Sequence, residues 1–159
     1  MEGPGRCRSF THAWMTEKTS GLRRFTYAWS LALKAAIIFL MNVAFGGSLH
    51  PEIRDLPGRM NHRMPRLENG EIHPDPTVVF ADRHDVHLTP GGTFANLLGC
   101  ETIRVNSLHG QGILDPGQRI VVEGVADDGT IEAIRIADAP GFALGVQWHA
   151  EYDPQHNPV

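Results

Sequence analysis

The chain lacks most of the features by which several protein classes are recognised. Only two cysteines, Cys7 and Cys100, occur in 159 residues, too few for a disulfide framework, and they form no CxxC pair that would hold zinc. Reduced thiols in a cytoplasmic protein are the expectation. No HExxH string or regular ligand spacing joins the nine histidines. His50, His62, His73, His84 and His87 share one stretch, and most of these five are expected to be structural or solvated, with no metal site. A formal net charge of −4 gives no basic field that would attract nucleic acid. Internal repeats and low-complexity tracts are absent too. What remains, 42% hydrophobic and 20% charged, is an ordinary globular composition.

The charge is unevenly spread. Arg6, Arg8, Lys18, Arg23, Arg24 and Lys34 make the first forty residues basic, whereas residues 67–159 are acidic by comparison, which points to two segments of different history. One long apolar run, residues 28–45, follows Arg23 and Arg24 and ends at Gly46-Gly47. It carries Lys34 and Asn42 and barely reaches the ~18–20 residues needed to span a bilayer. A buried helix is the favoured reading and a membrane anchor the minority one.

Residues 1–27 show no apolar periodicity and read as a flexible lead or as sequence foreign to the fold. From Ser48 to Asp75, Pro51, Pro57, Pro65 and Pro74 break the chain into a long irregular surface segment. A regular pattern follows. Thr77–Ala81 is a short β-branched run, and Asp85–Leu88 alternates as a half-buried strand does. Phe94–Leu98 reads as a helix with Thr89 or Thr93 available to cap it and Gly99 to end it. Thr102–Val105 is a strand, and Gly110-Gln-Gly112 a loop where backbone can approach a ligand. Residues 119–126 and 130–136 flank an Asp-Gly turn and predict a hairpin.

Ala143–Trp148 predicts a last buried strand that delivers His149 at its end. Side chains two apart on a strand point the same way. His149 and Glu151 therefore suit the base and orienting acid of a catalytic triad, the imidazole taking a proton from a thiol while the carboxylate sets its tautomer. An ordinary buried histidine beside a carboxylate fits these two residues equally well.

The surrounding strings separate the two readings. Gly145-Val-Gln-Trp-His-Ala-Glu-Tyr152 resembles the C-terminal signature of the peptidase C26 type of class I glutamine amidotransferases, nearest to the γ-glutamyl-γ-aminobutyrate hydrolases of putrescine breakdown. Val105-Asn-Ser-Leu-His-Gly-Gln-Gly-Ile113, Asp128-Gly-Thr-Ile-Glu-Ala-Ile134 and Asn42-Val-Ala-Phe-Gly-Gly-Ser-Leu-His50 resemble the same family in the same order. Residues 41–159 are thereby read as the C-terminal part of such a hydrolase domain, and residues 1–40 as a non-matching segment.

The resemblance implies an α/β fold, a partial doubly wound, flavodoxin-like and mostly parallel sheet with helices on both faces. It implies His149 and Glu151 as triad members, with Ala150 where many members have proline. It implies substrate-side roles for Asn106, Ser107 and His109, and for His50 in its Gly-Gly-Ser-Leu-His segment. Gly110 stands where many members have a second histidine. The implied partner is a small γ-glutamyl substrate. No cofactor, nucleic acid or membrane is expected, and a homo-oligomer is compatible.

The family's nucleophile would sit on a strand-to-helix elbow in a Gly-x-Cys-Arg-Gly pattern, near Ala35 here. Lys34–Leu40 contains no Cys, Ser or Gly. Cys7 lies in Gly5-Arg-Cys-Arg-Ser9 but has only six residues before it, and Cys100 matches no nucleophile motif. The expectation is a truncated γ-glutamyl hydrolase whose N-terminal segment has been replaced and whose family continues into a final helix beyond Val159. A non-catalytic module that binds γ-glutamyl ligands or a partner is the alternative.

Overall fold

A computed structural model describes residues 37–152. Residues 37–44 are helical (α1); most of the apolar run 28–45, and Ala35 with it, lies outside the described residues. Among the described residues no helix is long and apolar enough to cross a membrane. Helix α1 buries Ile38 and Asn42, one turn apart, and leaves Ile37, Leu40 and Val43 about half exposed or more.

Strands follow in the order β1 (Ser48–His50), β2 (His84–Leu88), β3 (Thr102–Val105), β4 (Gly112–Asp115), β5 (Ile120–Ala126), β6 (Ile131–Ile136) and β7 (Leu144–Val146). Two short helices, α2 (Pro76–Val79) and α3 (Thr93–Leu98), flank β2. The chain is mixed α/β, as expected, but its ladders differ from the expected parallel pairing. β1 pairs with β4, and a five-stranded sheet runs β3-β2-β5-β6-β7. Every one of these ladders is antiparallel. For β5, β6 and β7 the physical reason is connection length. Parallel neighbours need a crossover of a dozen or more residues, usually a helix, whereas β5, β6 and β7 follow one another through short turns. The Asp-Gly hairpin forms as predicted, with Gly129 at φ 79 and its N–H on the Ala126 carbonyl at 2.8 Å.

Three local expectations are corrected. The β-branched run at 77–81 starts as helix α2, because Asp75 caps it by accepting the Thr77 N–H at 2.9 Å and Pro76 occupies the first helical position. Strand β1 lies in the segment expected to be irregular, and β4 begins at Gly112, the last residue of the expected loop; three or four residues are too short to show a period. Neither threonine caps α3. Its Phe94 N–H is instead met at 3.2 Å by Glu123 Oε2, a carboxylate from the β-bulge in β5. Gly99 ends α3 at φ 69 as predicted.

The core has two parts. Val86, Leu88, Ala95, Ile103, Val105, Ala133 and Trp148 pack together with Phe94 and Leu98 of α3. Ile38, Ile113 and Ile134 form the second part with Met41 and Leu49. Successive residues of β6, Ala133 and Ile134, thus serve opposite faces. Asn42 ties α1 to the small sheet: its Nδ2 donates to the carbonyls of Ser48 (3.1 Å) and Asp115 (3.2 Å), and its Oδ1 accepts the Gly117 N–H at 2.9 Å. Cys100 departs from the expected reduced thiol, since its sulfur is in a disulfide.

Candidate active site

Strand β7 stops at Val146, and Gln147 makes one more ladder contact through its N–H to the Glu132 carbonyl at 2.8 Å. Beyond it, Trp148 enters the first core cluster. His149 and Glu151 therefore lie in a turn past the strand end rather than on the strand, with the Tyr152 N–H on the His149 carbonyl at 3.2 Å. Their side chains meet all the same, His149 Nδ1 standing 3.1 Å from Glu151 Oε1.

Asn106, just after β3, holds the histidine's backbone from both sides. Its Oδ1 accepts the His149 N–H at 2.8 Å and its Nδ2 donates to the His149 carbonyl at 3.1 Å. The amide side chain thus replaces the strand neighbour that the turn lacks. His149 is only 4% exposed, and the Phe80 ring meets it edge-on at 6.0 Å. Phe80 also stacks on Tyr152 at 4.2 Å, so α2 braces the turn. With Glu151 accepting from Nδ1–H, Nε2 keeps a lone pair for proton transfer.

The other predicted residues do not gather on this imidazole. Ser107 and His109 turn into the protein. Ser107 Oγ donates to the His62 carbonyl at 2.8 Å and stands 3.1 Å from His62 Nδ1. His109 Nδ1 reaches the Gln111 carbonyl at 2.9 Å and Gln147 Nε2 at 3.1 Å. His50 is on β1, where its Nδ1 accepts the Glu52 N–H at 3.2 Å.

Ser107 and His109 belong to a second, buried constellation that sequence reasoning missed. His62, His84 and His109 surround Glu132, which is fully buried, and Asp128 Oδ2 lies 2.9 Å from His62 Nε2. Burial would raise the Glu132 carboxyl, but the charges and contacts of His109 and His84 outweigh it and hold its pKa well below the usual range. Burial would likewise lower His109, and Glu132 reverses this and raises it. At His62 burial dominates and the pKa falls. Burial also raises Asp128, yet hydrogen bonds from the Met60 N–H, His62 and Thr130 leave it strongly lowered. One signal was readable, a glutamate inside the apolar run Ile131-Glu-Ala-Ile134 of a core strand. Three of the histidines expected to be incidental, or assigned to the substrate side, are buried together.

A family model, Peptidase C26, matches residues 38–151. The chain belongs to the peptidase C26 family. Over 112 residues it is 40% identical to the Escherichia coli (strain K12) γ-glutamyl-γ-aminobutyrate hydrolase PuuD, covering 70% of this chain and 41% of that protein. A provisionally named glutamine amidotransferase of Mycobacterium tuberculosis is 40% identical over 114 residues, 70% of this chain and 32% of its own length. A similarly named protein of Schizosaccharomyces pombe is 37% identical over 112 residues, 70% of this chain and 39% of its own. The chain thus spans about two-fifths or less of the length of these relatives.

Proposed function

We propose that residues 41–159 are the C-terminal part of a cysteine-type γ-glutamyl amide hydrolase, with His149 as its proton-transfer base and Glu151 as the acid that orients it. The observation that carries this reading is the 3.1 Å contact between His149 Nδ1 and Glu151 Oε1. In the complete reaction a cysteine thiol gives its proton to His149 Nε2, and the sulfur attacks the γ-carbonyl carbon. The C–N bond then breaks and the imidazolium protonates the departing amine. Water, deprotonated by His149, attacks the thioester, releasing glutamate and restoring the thiol. Asn106 acts as a positioning residue, since both ends of its amide are used on the His149 backbone. Ser107 and His109 shape the loop from behind, and His50 borders the substrate side.

The thiol is the missing part. Lys34–Leu40 offers none, and the Cys100 sulfur is bonded in a disulfide. The described residues therefore bind a γ-glutamyl compound without hydrolysing it on their own, and turnover requires a cysteine from outside them. This departure favours a second reading, a binding module with no catalytic role. Calorimetry and an amine-release assay with γ-glutamyl-γ-aminobutyrate, run on the same purified chain, test both. Binding without release is expected. Release abolished by iodoacetamide and by His149→Ala would show a working nucleophile and overturn the missing-thiol reading. Neither binding nor release would overturn the γ-glutamyl assignment.

A further inference from the structure

Three imidazole nitrogens converge on one carboxylate oxygen inside the chain. Glu132 Oε1 has His84 Nε2 at 3.2 Å, His62 Nδ1 at 3.3 Å and His109 Nε2 at 3.4 Å. Both Glu132 oxygens, His84 Nε2 and His109 Nε2 are buried and make no hydrogen bond. Leaving so many polar atoms desolvated without a hydrogen bond is costly, and proteins normally satisfy such groups with a partner or a bound ion.

We propose that His62, His84 and Glu132 bind a divalent transition-metal ion of the zinc type, with His109 closing a four-coordinate site. One donor atom from each of the first three lies within 4.8 Å of the others. A tetrahedral ion with bonds of about 2.0–2.1 Å sets its donors about 3.3–3.4 Å apart, close to the spacings around Glu132 Oε1. Imidazole nitrogens with a single carboxylate suit zinc, whereas calcium and magnesium want oxygen cages.

The outer contacts point the same way. His62 Nε2 lies 2.9 Å from Asp128 Oδ2, and His109 Nδ1 2.9 Å from the Gln111 carbonyl. With an ion bound, each contact can take the ring's N–H and leave a lone pair on the nitrogen that faces Glu132, as in metal-ligating histidines. Ser107 Oγ, 3.1 Å from His62 Nδ1, can give its hydroxyl to the His62 carbonyl instead. The ion would tie β2, β6 and the irregular segment around His62 to the loop after β3. That loop carries Asn106, so the metal would stiffen the backbone that holds His149. The site stands independently of the proposed hydrolase chemistry.

The test uses the full chain, stripped with a chelator and titrated with zinc and with cobalt(II). About one zinc per chain is expected, lost in both His84→Ala and Glu132→Gln. Asp128→Asn should weaken binding by about 10–100-fold, and His87→Ala, at an exposed histidine, should leave it unchanged. Because the ligand variants can fail to fold, the wild-type cobalt spectrum is the second readout, and an intense tetrahedral visible band is expected. No stoichiometric binding, zinc retained by folded His84→Ala, or a weak octahedral cobalt spectrum would each overturn the proposal.

Discussion

Removal of the Asn106 amide should disturb the site more than its small size suggests. In Asn106→Ala the His149 N–H and carbonyl lose their partners at 2.8 and 3.1 Å, in a place where Asn106 is 2% exposed. Each hydrogen bond contributes about 0.5–1.5 kcal/mol net, and a buried group left unpaired costs about 1–3 kcal/mol. Allowing for partial overlap and some water entry, the loss should be about 3 kcal/mol. With a urea slope of about 1–3 kcal/mol/M for a small domain, the unfolding midpoint should fall by roughly 1–3 M at unchanged slope. His149→Ala keeps both peptide groups in place and should cost clearly less. A midpoint shift in Asn106→Ala no larger than that of His149→Ala would refute the clamp, because the amide would then contribute nothing beyond ordinary side-chain burial.

Further outcomes concern backbone approach, the core and a cap. A Cβ on Gly117 would come within 2.5 Å of the Phe45 carbonyl oxygen and 2.7 Å of the Gly47 nitrogen, both backbone. Gly117→Ala should therefore destabilise by about 1–3 kcal/mol, and by more than Gly112→Ala, whose new methyl meets the movable end of Ile53; thermal unfolding of the two variants ranks them. Trp148→Ala opens the first core cluster, where Trp148 is 5% exposed, and should cost about 3–5 kcal/mol by chemical denaturation. Asp75, held below its ordinary pKa of 3.8 by the Thr77 hydroxyl and N–H, stabilises the start of α2 in its charged form. That contribution is present above pH 3.8 and fades as the pH falls through the lowered value. The hydrogen-exchange protection factor at Thr77 should fall on acidification and in Asp75→Ala, but not in Asp75→Asn.

Much of the chain was legible from its residues alone. The Asp-Gly hairpin, helix α3 with Gly99 behind it and the strand at Thr102–Val105 follow from local chemistry, since a two-residue period or a left-handed glycine needs no distant partner. Four strings in order also marked the family and put His149 and Glu151 forward as a pair. Tertiary structure decided the rest. Strand direction in the sheet depends on which strands become neighbours, and β1 and β4 are too short to be seen until they pair. Asn106 looked like a ligand residue, but folding spends its amide on the His149 backbone. His62, His84, His109 and Glu132 are far apart in sequence without a motif spacing, and only the packing of β2, β6 and two loops brings them around one carboxylate oxygen. Local periodicity is set by neighbours along the chain, whereas a buried polar cluster exists only once several elements have excluded water together.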